Sequence, residues 1–249
     1  MSENLIGLIP AAGKGVRLGL PYPKELYPVI RNNHYKPISQ FVVDNLTNAG
    51  LQHIVFVVNE TKHQLMGYFG SGQRFGCNIS YVVQEVVEGK TKSTSPGLAH
   101  ALDSAYHLTS GKTVFFGMAD TLMQPADVFA RVYQSSTATD DVVLALFTTS
   151  RPEKFGMVRT DAENKVIEIV DKPKQTDLTE MWGCILWRPR FTEFLHKHVQ
   201  QGVADFAVIM NNAIHEGYQF RGVHFPNGLY IDLGTYDEIM ELDRRFREE

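Results

Sequence analysis

"LIPAAGKGVRLGLPYPKELYPV", residues 8–29, opens as an apolar strand and runs into a loop that carries Gly13, Gly15, Arg17 and Lys24. A glycine-rich turn after a strand lets backbone N–H groups approach a phosphate, because no Cβ stands between them. Two common phosphate loops are excluded by spacing. A P-loop, G-x-x-x-x-G-K-[ST], fails because Val16 and Arg17 follow Gly15. The later GKT at 89–91 fails because Gln84 occupies the first glycine position. A dinucleotide turn, G-x-G-x-x-G, fails because Leu18 replaces the third glycine and the first acidic residue after the second strand is Glu60. What remains is G-x-G-x-R-[LM] followed by a Pro-Lys pair, in which Arg17 and Lys24 add positive charge beside a bound phosphate. Without a ligand, the same glycines would form a tight turn and Arg17 would be a solvated cation.

Outward from this stretch, strands and helices alternate. The apolar segments LIGLIPA, HIVFVVNE, NISYVVQE, TVFFGMAD and DVVLALFTT read as strands. Their near-continuous hydrophobicity fits strands covered on both faces. Helices are predicted over KPISQFVVDNLTNAG, TKHQLMGYFG, GLAHALDSAYHL and about 125–135. In the first of these, Ile38, Phe41, Val42, Leu46 and Ala49 share a face and Gly50 ends the helix. After residue 150 the pattern changes. FGMVRTD and KVIEIVDKP flank a turn at AEN, and EMWGCILWRP reads as another strand. FTEFLHKHVQQG and DFAVIMNNAIHEG read as helices, YQFRGVHF and GLYIDLGT as strands, and YDEIMELDRRFREE as a terminal helix. The prediction is a single α/β domain over 1–249, with a Rossmann-like, mostly parallel central sheet flanked by helices and a β-rich insertion beside the pocket.

Composition narrows the function classes. Hydrophobic residues at 43% and charged residues at 21% are ordinary for a globular enzyme. A net charge of −4 gives no basic surplus for nucleic-acid binding. No apolar run reaches the roughly 20 residues that span a bilayer, and the N-terminus lacks the basic region and cleavage site of a signal peptide. Cys77 and Cys184, the only cysteines, make neither a disulfide framework nor a zinc site and are predicted to be buried thiols. The expected location is the cytoplasm, with no membrane or nucleic-acid partner; homo-oligomerisation is left open.

GKGVRLG followed by PKELYPV resembles the signature G-x-G-x-R-[LM]…PK-x-L-x-P-[VI] of the sugar-1-phosphate nucleotidylyltransferases, the NDP-sugar pyrophosphorylases that include glucose-1-phosphate thymidylyl- and uridylyltransferases. Further segments of that family have counterparts in order: FGSGQRFGCNISYVVQE, GLAHAL, FFGMAD, FGMVRTDAENKVIEIVDKP, MWGCILW and YIDLGTYDEIMEL. The resemblance therefore covers nearly the whole chain. It implies the nucleotide-diphospho-sugar transferase fold, with residues 1–150 binding nucleotide and 151–249 binding sugar phosphate.

The reaction it implies is attack of a sugar-1-phosphate, glucose-1-phosphate-like, on the α-phosphorus of a pyrimidine triphosphate, dTTP or UTP, with release of pyrophosphate. Such a transfer needs positioning, cations and a divalent metal more than a protein nucleophile. By resemblance, Ala11, Ala12, Gly13, Gly15 and Arg17 cradle the triphosphate, and Arg17 and Lys24 are the catalytic cations. Gln84 and the backbone of Gly97 read the base. Asp120 and Asp232 hold Mg²⁺, and Lys172, Asp171, Gly156 and Gly183 receive the sugar phosphate. Outside the resemblance, Asp120 and Asp232 would be caps or turn residues, and Gln84 and Lys172 surface residues. The histidines show no metal-ligand spacing, and Trp182 and Trp187 read as core or pocket wall. The short interval from Arg17 to Lys24 matches cytidylyltransferases of the same fold, so a cytidylyltransferase acting on a non-hexose phosphate is one alternative. A nucleotide-sugar-binding regulatory protein without turnover is another. It is motivated by Met118 and Ala119 where the family has Gly directly before Asp, and by the absence of an E-[IL]-T-D pattern near DFAVIM. The polar loop EVVEGKTKSTSPG is longer than its family counterpart, and DKP stands for the family's EKP.

Overall fold

Alternation along five apolar strands divides the core into two faces. The computed structural model describes residues 4–15, 18–31, 34–85 and 97–247. Its elements are β1 (Leu5–Pro10), β2 (Pro28–Arg31), β3 (His34–Pro37), α1 (Ile38–Asn48), β4 (His53–Val58), α2 (His63–Phe69), β5 (Asn78–Val83), α3 (Leu98–Ser104), α4 (Tyr106–Thr109), β6 (Thr113–Gly117) and β7 (Thr121–Gln124). There follow α5 (Val128–Ser135), β8 (Val142–Thr148), β9 (Gly156–Thr160), β10 (Val166–Asp171), β11 (Glu180–Trp187), α6 (Pro189–Gln200), α7 (Phe206–His215), β12 (Phe220–Phe225), β13 (Leu229–Asp232) and α8 (Tyr236–Arg247).

Successive strand side chains point to opposite faces. Ile6, Leu8, Val55, Val57, Val114, Phe116, Leu144 and Ile185 therefore pack under α3, α6 and α7, against residues such as Leu102, Phe191 and Ile209. Ile9, Ile54, Phe56, Phe115, Val143, Phe147 and Leu186 pack under α1, α2 and α5, against Val42, Phe69 and Phe129. This is the sheet flanked by helices that the sequence predicts. A one-residue slip of any of these strands would exchange its two faces, so register is tightly specified.

Among the described residues the main sheet has nine strands, in the order β10-β9-β11-β6-β1-β4-β5, with β8 also paired to β11 and β12 to β8. β5, β4, β1 and β6 form a parallel core, and β12 runs parallel to β8. β11 is antiparallel to both β6 and β8, and β9 and β10 form the predicted hairpin. Strands from both halves of the chain thus share one sheet.

Two local details differ from the sequence expectation. GLAHALDSAYHL divides into α3 and α4 at Ala105, whose N–H bonds the Leu102 carbonyl in a tighter turn. That turn brings Tyr106 flat against His196 of α6, with ring centroids 3.8 Å apart. The pairing of β2 with β3 was not anticipated. A third apolar cluster sits beside it, joining Leu18 and Val29 to Leu122 of β7, Ile231 and Leu233 of the β13 end, and Ile239 and Leu242 of α8. This cluster draws the opening loop and the C-terminal segment together.

Candidate active site

In an open parallel sheet, ligands bind beyond the carboxyl ends of the strands. Four segments converge there: the opening loop after β1, Asn59 after β4, Gln84 after β5 and Asp120 after β6. The Ala11 N–H bonds the Val57 carbonyl at 2.7 Å, and the Ala12 carbonyl accepts from Asn59 Nδ2 at 2.8 Å. The start of the loop is therefore fixed to β4. Gly15 has φ +63°, the left-handed region that favours glycine, and the Lys24 side chain passes over it.

Lys24 begins the 3₁₀ turn Lys24–Leu26. Its Nζ donates to Asp120 Oδ2, and the two side chains are only 17% and 10% exposed. β13 runs antiparallel to β7 with Asp232 opposite Thr121, and the Leu233 N–H bonds the Asp120 carbonyl at 2.9 Å. This register sets the second carboxylate beside the first. Burial by itself would lower the Lys24 pKa, but Asp120, Asp232 and Glu25 outweigh it and hold the ammonium above its ordinary value. Tyr230 is pushed well above the usual phenol range, first by burial and then by Asp232 and Asp120, and so remains a neutral hydroxyl there.

These groups line a cavity of about 620 Å³. The same cavity is lined by Gly97, Gly156, Asp171 and Lys172, so the structure brings Lys24, Asp120, Asp232 and these four around one space. Gly97 is the N-cap of α3. Lys172 has φ +47°, a conformation that costs a non-glycine residue about 1–2 kcal/mol, and its N–H is held by the Phe155 carbonyl at 2.9 Å. Gly156 is required by close approach, since a Cβ there would lie 2.2 Å from Trp182 Nε1. Trp182 forms a cavity wall, whereas Trp187 is core, where it bonds Thr192 at 2.9 Å.

Gln84, Gly183 and the loop residues Ala11, Ala12, Gly13 and Gly15 are not among the residues that line this cavity. Gln84 is buried at the end of β5, with its N–H on the Val58 carbonyl. Gly183 instead makes room for the rings of Phe147 and Tyr230. Arg17 and most of the loop between Gln84 and Gly97 lie outside the described residues, so their assignments stay as the resemblance gives them.

Several lining residues escaped sequence reasoning. Glu238 is 2% exposed and accepts from Gly234 N at 2.8 Å, Thr235 N at 2.9 Å and Lys154 Nζ at 2.6 Å. The capping-box pattern T-x-x-E, Thr235 to Glu238, was the available signal. Asp205 caps α7, accepting from Ala207 N at 2.8 Å and Val208 N at 3.2 Å. Aromatic rings of Phe155, Trp182, Phe206 and Tyr230 line the rest.

Asp120 and Asp232 fit Mg²⁺, which takes one or two carboxylates and completes its octahedron with substrate phosphates and water. The attraction of Asp120 for a cation is visible in its contact with Lys24. Among the described residues no group of three or more His, Cys, Asp or Glu side chains could hold a metal. A bound substrate would therefore have to supply the remaining ligands.

Comparison with known proteins gives concordant results. Residues 6–249 match the nucleotidyl transferase family. The low-salt glycan biosynthesis nucleotidyltransferase Agl11 of Haloferax volcanii is 23% identical over 98% of this chain and 66% of its own length. Glucose-1-phosphate thymidylyltransferase of Neisseria meningitidis is 25% identical over 94% of this chain and 80% of its own. The chain thus spans about two thirds of the first relative and four fifths of the second. Among solved structures, a Bacillus anthracis protein described as a glucose-1-phosphate thymidylyltransferase, in complex with sucrose, superposes with a TM-score of 0.82, 21% identity and coverage of 98% and 96%. A UDP-glucose pyrophosphorylase complexed with UDP-glucose gives 0.78, 21%, and 98% and 99%.

Proposed function

The chain belongs to the nucleotidyl transferase family, and from that premise we propose that it joins a pyrimidine nucleoside triphosphate, dTTP or UTP, to a glucose-like sugar-1-phosphate in an Mg²⁺-dependent reaction. The observation that carries this reading is the meeting of Lys24, Asp120, Asp232 and Lys172 around one cavity. A sugar-phosphate oxygen attacks the α-phosphorus, the bond to the bridging oxygen of the β-phosphate breaks, and pyrophosphate leaves. Both reactants are anions, so the work of the protein is to hold them together and to meet the charge that moves to the leaving group.

Lys24 is buried, charged and fixed, which suits an electrostatic role at the reacting phosphates. Asp120 and Asp232 would hold the metal, which when bound neutralises phosphate charge and orients the triphosphate. Lys172, which lines the same cavity, suits the acceptor phosphate. Ala11, Ala12, Gly13, Gly15 and Arg17 would cradle the triphosphate, and Gln84 and Gly97 would recognise the base. Among the described residues no helix is long and apolar enough to cross a membrane. With two unpaired buried cysteines, we place the enzyme in the cytoplasm.

The test is a matrix of triphosphates and sugar-1-phosphates, read as pyrophosphate release with Mg²⁺ and after chelation. Turnover with dTTP or UTP and a hexose-1-phosphate, abolished by chelation, is expected. Turnover only with CTP and a non-hexose phosphate would replace the substrate assignment. Tight nucleotide-sugar binding without release from any pair would overturn the catalytic reading.

A further inference from the structure

Next to Lys24 in sequence stands a carboxylate that cannot reach water. Glu25 is 2% exposed, and both its oxygens accept from Lys62 Nζ, at 2.8 and 2.6 Å. The Lys62 side chain is itself 3% exposed. Burying two charges costs several kcal/mol per ion, and an apolar pair of similar volume often gives equal or greater stability. The pair is therefore poorly explained as a source of stability. Its placement suggests another role.

Lys62 immediately precedes α2 and is rigidly held. Its carbonyl accepts from Leu65 N at 3.0 Å and Met66 N at 3.2 Å, and its own N–H bonds the Asn59 carbonyl at 3.1 Å. Glu25 is the middle residue of the turn whose first residue is Lys24. The Glu25 carbonyl accepts from Ser39 Oγ of α1 at 2.6 Å. Three residues before Lys62, Asn59 holds the Ala12 carbonyl. The segment after β4 thus grips the opening loop at its start through Asn59 and at its end through Lys62.

We propose that the buried Glu25–Lys62 pair is a positioning device that fixes Lys24 against Asp120, with Lys62 acting as a positioning residue for nucleotidyl transfer through Glu25. A paired Glu25 also adds no uncompensated negative charge beside a bound triphosphate. The kinetic part of this inference rests on the function proposed above.

Three full-length variants test it: Lys62→Met, Glu25→Gln, and the double variant Lys62→Met/Glu25→Leu, which replaces the ions by apolar groups of similar size. Melting temperature, kcat, KM for the triphosphate and amide exchange of Leu26 and Tyr27 are measured for each. The two amides bond within the turn, to Pro23 and Lys24 carbonyls at 2.8 and 2.9 Å. The double variant is expected to melt near the wild type, to lose kcat by about 10- to 100-fold with far less change in KM, and to exchange both amides faster. Glu25→Gln keeps the shape and one hydrogen bond but leaves the Lys62 ammonium buried without a counter-charge, so it should melt below the double variant while kcat and amide protection change in the same direction. A double variant that keeps both wild-type kcat and wild-type exchange would overturn the proposal. If that variant does not fold, Glu25→Gln decides by the same two criteria. If the wild type releases pyrophosphate from no substrate pair, the functional reading fails, and amide exchange alone decides whether the pair holds the turn.

Discussion

The two walls of the cavity carry ion pairs of opposite character. On one, Lys24 and Asp120 are 17% and 10% exposed. On the other, Lys172 and Asp171 are 61% and 40% exposed and stand 3.4 Å apart. The first pair acts in a medium of low effective dielectric, where charges interact strongly and salt penetrates little. The second is screened by water and salt, like most surface pairs. The buried wall therefore suits the step common to every substrate, and the open wall suits adjustable capture of an acceptor.

Lys24→Met strikes the buried wall and should have the largest effect. Removing one fixed electrostatic donor from an active site typically lowers kcat by about 10²–10³-fold. Steady-state pyrophosphate release should fall by that factor, and the loss should persist as ionic strength is raised. A loss that vanished in high salt would erase the contrast between the walls.

Gly156→Ala disturbs the open wall through packing. A Cβ at 2.2 Å from Trp182 Nε1 forces the indole aside. Overpacking of this kind costs about 1–3 kcal/mol, read as a lower melting temperature together with a shift in tryptophan emission. Lys172→Met should have a smaller effect on the same wall, raising KM for the acceptor by roughly tenfold or less at low ionic strength. That difference should fade with salt, because an exposed charge is screened over about 10 Å at 0.1 M. Salt series on Lys24→Met and Lys172→Met, run side by side, test the comparison directly.

The buried wall was more legible in the sequence than its supports. Glycines after an apolar strand and the Pro-Lys pair that follows are local signals, and they led to Gly13, Gly15 and Lys24, whereas Asp120 and Asp232 came from the family resemblance. The near-continuous hydrophobicity of the strands likewise foretold a sheet covered on both faces, because successive side chains point to opposite sides. Which ion pairs brace the site depends on contacts between distant segments. Lys62 meets Glu25 across 37 residues and Lys154 meets Glu238 across 84, and no spacing rule records either. Gly156 and Gly183 illustrate a related limit. Both read as backbone left bare for a ligand, yet the space at Gly156 is taken by Trp182 and that at Gly183 by Phe147 and Tyr230.

Glu238 links the two walls and offers the finest test. It joins Lys154, before β9, to the start of α8 beside Asp232. Burial pushes its carboxyl up, but Lys154, the Gly234 amide and the Thr235 side chain outweigh this and hold it below its ordinary value of 4.5. A carboxyl depressed on folding binds its proton more readily in the unfolded chain. Its contribution is thus complete above about pH 4.5 and is lost as pH falls through the lower folded value. Glu238→Gln should cost about 1 kcal/mol near neutrality, the scale of a lost helix cap. Denaturant unfolding of the two proteins from pH 7 to pH 3 should show the gap closing at the acid end, because the wild type gives up there what the variant never had. A gap of constant size across that range would mean that the shape of Glu238, not its charge, joins the walls.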